Sequence, residues 1–202
     1  MPKLYTKTGD TGITSLYDGS KRSKGHIIFD VLGNLDELSS NIGFLCAKVY
    51  SREIEDRSNF SELIDKSVSN CDKLREIQVT LLDIGSNIAV IDENKKKRVP
   101  KITENNVGRI EGWIDKCEGK NEKLTEFLLP GIKEIDSQCH ICRSVTRRVE
   151  RSMWQLNDEV DIDENILKYM NRLSDFFFAF SRILSNGKEI KVSNIKKKLS
   201  TI

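Results

Sequence analysis

A chain of 202 residues is long enough for one substantial core, and 33 Lys+Arg against 31 Asp+Glu leave a net charge of only +2. That balance argues against nucleic acid as the main partner, and no run of about 18 apolar residues is present to span a membrane. Met1 leads almost directly into a Gly/Thr-rich segment, which leaves no room for a signal or transit peptide. A cytoplasmic protein is expected, with a mitochondrial address open if a presequence has been removed.

The segment Tyr5-Thr6-Lys7-Thr8-Gly9-Asp10-Thr11-Gly12-Ile13-Thr14-Ser15, followed by Lys24, precedes any helical pattern. Glycine lets the backbone turn and approach a ligand closely. Successive N–H groups and hydroxyls then surround an anion, with Lys7 and Lys24 as point charges. The chemistry suits a polyphosphate. The spacing matches neither common Gly-rich phosphate fingerprint, and a polar turn without a ligand is the competing reading.

Leu35, Leu38, Ile42, Leu45 and Val49 predict a helix capped by Asn34. A second is expected over about 61–91, on the stripe Leu74, Ile77, Leu81, Ile84, Ile88 and Ile91. Lys95-Lys96-Lys97-Arg98 reads as a charged connector. Thr103, with Asn106 three residues on, begins a third helix. Breaks at 118–121 and at Leu128-Leu129-Pro130-Gly131 separate it from two more, about 136–157 and 164–184. Residues 187–202 read as a mobile basic tail behind a single domain over 1–186. The sum is an all-α fold, an antiparallel five-helix bundle.

On the fourth helix, at about 100° per residue, Ile141, Cys142, Val145, Val149, Met153 and Leu156 share one sector. His140, Arg143, Arg147, Glu150 and Arg151 gather opposite, with Arg148 between. Guanidiniums one turn apart offer planar forks to a polyphosphate. A solvated basic face balanced by Glu134 and Glu150 is the alternative. On the fifth helix Asn171, Arg172 and Asp175 are polar within core spacing, and Asn171 suits a ribose or base. Phe176-Phe177-Phe178 exceeds what one core face needs, so the excess would line a flat apolar pocket or a subunit contact. Cys139-His140-Ile141-Cys142 lies inside a helical pattern and reads as packed thiols ahead of a metal or redox site.

Together these residues resemble the PduO-type ATP:cob(I)alamin adenosyltransferases over roughly 3–184. The likeness rests on Tyr5 to Asp10 with Gly12, on His140 to Arg143 running to Arg147-Arg148-Val149-Glu150-Arg151, and on Asn171 to Asp175. Asp36-Glu37-Leu38 and Phe127-Leu128-Leu129-Pro130-Gly131 fit in order and spacing. The resemblance implies a ferritin-like five-helix bundle, a homotrimer with sites between subunits, and transfer of the 5′-deoxyadenosyl group of ATP to cob(I)alamin. It implies that Thr6, Lys7, Thr8, Gly9, Thr14, Ser15 and Lys24 contact ATP. Arg147, Arg148, Val149, Glu150 and Arg151 would complete the phosphate site, and Asn171 would hold the nucleoside. Asp36 would pair with Arg143 across the subunit boundary, and Phe127 would occupy the lower face of cobalamin. Asp36, Phe127, Arg143 and Arg147 are the catalytic candidates, with Mg²⁺ accompanying ATP. A reductase and a cobalamin-dependent acceptor enzyme are the implied protein partners. Ile132 stands where the family has a second glycine. A nucleotide-binding helical trimer that senses or delivers is the alternative function, and a helical adaptor is a third.

Overall fold

Apolar residues every three or four positions organise this chain into helices whose inward stripes meet in one core. The computed structural model describes residue 5, residues 7–55, residue 64 and residues 68–201. Two short strands come first, β1 (Ile13–Ser15) and β2 (Lys21–Ser23). The helices α1 (Ile27–Glu55), α2 (Asn70–Ile88), α3 (Glu93–Lys96) and α4 (Glu104–Glu118) follow. Then come β3 (Leu128–Leu129), α5 (Glu134–Asn157), α6 (Glu164–Leu184), β4 (Ile190–Lys191) and α7 (Val192–Leu199). α1 packs between α2 and α5, and α6 packs between α5 and α4. None of the described helices is long and apolar enough to cross a membrane.

The mostly helical expectation holds, with differences of local origin. α1 begins at Ile27, so Asn34 lies inside the helix and does not cap it. Ile28 and Val31, both fully buried, carry the stripe of Leu35 and Leu38 two turns further back. α2 begins only at Asn70, where the Ser69 hydroxyl accepts the Asp72 N–H at 3.0 Å, so the expected start near 61 is not met. Part of 61–69 lies outside the described residues. Asn106 accepts the Thr103 N–H at 3.0 Å, the reciprocal cap anticipated there. α5 starts at Glu134, ahead of the expected 136. The Asp136 carboxylate reaches back to the Lys133 and Ile132 N–H groups and so acts inside the first turn. The connector over 94–100 overlaps the short α3, which begins at Glu93.

Two small antiparallel sheets were not anticipated. β1 pairs with β2, Thr14 facing Arg22, and β3 pairs with β4, Leu128 facing Lys191. The end read as a basic tail therefore carries β4 and α7, tied back to the stretch before α5. Phe176, Phe177 and Phe180 are all fully buried, with Trp113 5.8 Å from Phe176 between ring centroids. Only Phe178 of the aromatic run retains accessible surface, its edge against His140. The surplus expected of the run is one ring, because α6 is buried over most of its circumference. Cys139 and Cys142 pack as core thiols, and burial pushes Cys142 up to about 12 and Cys139 well above its ordinary value.

Candidate functional site

The Gly/Thr segment forms a loop over 7–12 that needs left-handed backbone at Lys7 (φ 59°) and Gly12 (φ 79°). Asp10 N–H donates to the Lys7 carbonyl at 3.3 Å and Gly12 N–H to that of Gly9 at 3.2 Å. Lys24 N–H closes the loop onto the Gly12 carbonyl at 2.8 Å. A Cβ on Gly9 would meet Lys24 Cε and Nζ at 3.1 Å, so the ammonium lies over that glycine. Lys7, Thr8, Ser15 and Lys24 are exposed, and Gly9 and Thr14 are partly buried. Thr6 lies outside the described residues. The loop thus presents hydroxyls and two lysines to solvent from a fixed hairpin.

Asp18, at the hairpin turn, holds that platform. Its carboxylate accepts from Ser20 N (2.8 Å) and Oγ (2.6 Å), and from the N–H groups of Ile91 (2.8 Å) and Asp92 (3.1 Å) beyond α2. Lys95 Nζ donates to the Asp18 carbonyl at 2.6 Å. Burial opposes the charge, but the bonds from Ser20, Ile91 and Asp92 together hold this carboxyl well below the usual range. A depressed folded pKa means that the tie is complete above the unfolded value and lost as pH falls through the folded one. Asp18→Asn is expected to lower amide-exchange protection at Ile91 about tenfold or more near neutrality, the worth of one charge-assisted hydrogen bond. Wild type should approach the variant only in strong acid. Identical protection in the two proteins at pH of about 7 would remove Asp18 as the anchor.

A second group of residues lies along α5 and α6. Glu150 accepts Asn171 Nδ2 at 3.0 Å, Asn171 Oδ1 accepts Arg172 Nη1 at 2.7 Å, and Arg172 Nε reaches Glu111 of α4 at 2.8 Å. Burial raises Asp175, while Arg172 and then Arg147 draw it down, which puts Arg147 in the same electrostatic neighbourhood. Arg147 and Arg151 are exposed. Arg148 turns the other way and pairs with Glu37 of α1. Val149 is fully buried, so its side chain is closed to a ligand: the helical turn that exposes Arg147 points position 149 inward.

Asp36 is exposed beside a groove of about 280 Å³ whose lining includes Tyr17, Leu32, Leu81, Leu82 and Gly85. Arg143 lies on α5, partly buried, and its Nε and the Nδ1 of His140 have no partner among the described residues. Burial, with Arg143 second, lowers the His140 pKa and keeps the ring neutral near pH of about 7. No ion pair joins Asp36 and Arg143 within the described chain. The hairpin turn is anchored to Ala89, Ile91 and Asp92 through Tyr17 and Asp18, while the charge of Arg147 is felt at Asp175. A larger groove, about 560 Å³, runs past Phe44, Lys48, Lys133 and Leu184 and holds none of the expected residues. Among the described residues no hydrogen bond or ion pair joins Arg147 or Arg151 to the loop over 7–12.

Phe127 stands at the tip of the connection before β3, 87% exposed. Gly131 takes φ of 112°, but Ile132 keeps ordinary backbone and donates its N–H to Asp136 at 3.3 Å. The missing second glycine therefore introduces no strain. Sequence reasoning missed Asp18 and Arg182, the latter buried under α4 and the C-terminal segment. The Asp18-Gly19 pair was a turn signal that could have found the hairpin.

A model of the family described as cobalamin adenosyltransferase matches residues 4–184. The chain is 36% identical over 197 residues to human corrinoid adenosyltransferase MMAB, covering 95% of this chain and 73% of that protein. It is 37% identical over 183 residues to the Bacillus subtilis corrinoid adenosyltransferase, covering 91% and 86%. Among solved structures it is similar to a variant of the PduO-type ATP:corrinoid adenosyltransferase from Lactobacillus reuteri complexed with cobalamin and ATP. There the TM-score is 0.80 and the identity 27%, over 95% of this chain and 97% of that one.

Proposed function

The chain belongs to the cobalamin adenosyltransferase family, and on that premise we propose how its candidate residues carry out ATP:corrinoid adenosyl transfer. The observation that carries the assignment is the nearly full-length match to enzymes of this one activity, one of them holding both cobalamin and ATP. The loop over 7–12 with Thr6, Thr14, Ser15 and Lys24 binds the triphosphate of ATP. Arg147 and Arg151 close on it from α5, and Glu150 and Asn171, already hydrogen-bonded to each other, receive the nucleoside. We read the helices α1, α2, α4, α5 and α6, each of fifteen residues or more, as the five-helix bundle that the family resemblance implies, with α3 and α7 as additions.

The chemistry needs little beyond placement and charge. Co(I) of the corrinoid donates its electron pair to C5′ of ATP, the C5′–O bond breaks, and triphosphate departs with that bond's electrons. The protein brings cobalt and C5′ into line and stabilises the charge building on the leaving group, the work of Lys7, Lys24 and Arg147. No nucleophilic side chain is required. Mg²⁺ would accompany ATP on its phosphates and neutralise part of their charge. Phe127 covers the lower face of the ring and excludes the axial ligand there, so the cobalt accepts its electron more easily.

Assembly of copies completes the site. That Asp36 and Arg143 form no ion pair among the described residues supports this reading, as does the lack of any bond there between the loop over 7–12 and Arg147. We assign the pair to neighbouring subunits of a homotrimer, with its two substrates between them. Asp36→Arg should lower both assembly and transfer by about tenfold or more, and the double variant with Arg143→Asp should restore much of each. Light scattering and initial rates read the outcome; additive losses in the double variant would break the pairing. A reductase supplying the electron and an acceptor taking the finished cofactor are the expected protein partners.

The assignment is tested by mixing protein, MgATP and chemically reduced cobalamin and following the absorbance of the light-sensitive cobalt–carbon bond. Folded protein that binds MgATP and produces no spectral change would reject transfer and favour the sensor or delivery reading.

A further inference from the structure

Arg182, on the last turn of α6, has a side chain only 3% exposed. A buried guanidinium must find partners for donors fixed in one plane, so its contacts report which segments it holds. Nε donates to Glu189 Oε1 at 2.8 Å, and Nη2 donates to the Glu122 carbonyl. Nη1 lies 3.5 Å from Glu118 Oε1 at the end of α4, without hydrogen-bond geometry. Glu122 is in the connection that leads into β3, and Glu189 immediately precedes β4. One buried cation therefore ties both approaches to the small sheet.

Phe127 is the residue immediately before β3. Its ring has almost nothing against it, so only its backbone can set where it stands. That backbone is held from the C-terminal side. Val192 N–H donates to the Phe127 carbonyl at 3.2 Å, and the Glu126 carboxylate accepts Ser193 N (3.0 Å) and Oγ (2.9 Å). Asn121 Nδ2 donates to the Ala179 carbonyl at 2.9 Å and pins the same connection to α6.

We propose that Arg182, through Glu189 and the Glu122 carbonyl, is a positioning residue that sets Phe127 beneath the corrin ring, and that residues 188–193 are a working part of the site. The proposal rests on the reading of Phe127 as the lower-face residue. Arg182 touches no substrate. No hydrogen bond or ion pair among the described residues links it to the loop over 7–12 or to Arg147. Loosening the tie should thus spare ATP binding and act where the cobalt is reduced.

The test uses the full chain with Glu189→Gln and Arg182→Lys, beside wild type and Phe127→Ala. Glu189→Gln keeps the side chain's shape and removes the charge facing Arg182. It carries the test alone if Arg182→Lys does not fold. MgATP affinity should stay within about twofold and transfer to pre-reduced cob(I)alamin within about threefold. Transfer starting from cob(II)alamin with a reductant should fall about tenfold. The absorption spectrum of bound cob(II)alamin with MgATP should shift from that of wild type toward that of Phe127→Ala. A purely structural role for Arg182 predicts otherwise: a lower melting temperature with all rates falling together and an unshifted spectrum, which would overturn the proposal. If Phe127→Ala slows both starting states alike, the reading of Phe127 fails and takes the proposal with it. If Phe127→Ala behaves as expected while both tie variants match wild type, the positioning role alone is wrong.

Discussion

Arg147→Ala is expected to lower kcat/KM for MgATP by about 10²- to 10³-fold, some 3 to 4 kcal/mol of transition-state stabilisation, and to leave the melting temperature unchanged. The separation is possible because Arg147 is exposed and its Asp175 and Glu150 neighbours are themselves partly solvated. Its removal opens no cavity. Further negative charge builds on the already anionic triphosphate as the C5′–O bond stretches, so the loss should appear in kcat as well as in KM. Arg147→Lys should recover part of it, since a point charge remains but the two-pronged fork does not. Arg148→Ala is the internal control. Its pair with Glu37 joins side chains that are 44% and 48% exposed, worth under about 1 kcal/mol, and it turns away from Arg147. Steady-state rates that stay within about threefold of wild type for Arg147→Ala would remove the guanidinium from the triphosphate site.

Phe127→Ala should produce the second large effect, and an asymmetric one. Starting from cob(II)alamin the rate should fall about 100-fold, whereas from pre-reduced cob(I)alamin the loss should stay under about tenfold. An axial ligand on the lower face pushes electron density onto cobalt and opposes the incoming electron. An apolar ring in that place removes the push and keeps water out. For a one-electron step a 100-fold change in the reducible population corresponds to about 120 mV, a span that loss of an axial ligand can supply. Stability should not change, because a side chain 87% exposed in the single chain contributes little to the core. Equal losses from the two starting states would mean that Phe127 shapes the pocket without governing reduction.

The helices were legible wherever a stripe and a local cap coincide. α6 spans Glu164–Leu184 as expected, because Asp163 caps it by accepting the Asn165 N–H at 2.8 Å and the stripe runs unbroken to Leu184. The start of α4 just after Thr103 follows from a reciprocal cap four residues long. Boundaries failed where the deciding bond was less obvious. Asp136 looked like a helix start and is an acceptor within the first turn, and Asn34 looked like a cap and is interior. The candidate site shows the same division. The Gly/Thr loop and the arginines of α5 were visible as runs of neighbouring residues whose chemistry is shared with a phosphate.

Sequence alone thus determined the helical stripes, the reciprocal cap of α4 and the inventory of groups proposed to meet ATP and a corrinoid, since all of these depend on residues a few positions apart. Only tertiary structure decided which groups hold one another. Asp18 meets Ile91, Glu150 meets Asn171 and Arg182 meets Glu189 and Glu122 through hydrogen bonds that no periodicity encodes. Such bonds form because burial penalises any charge or amide left without a partner, and which partner comes within reach is settled by how the helices pack.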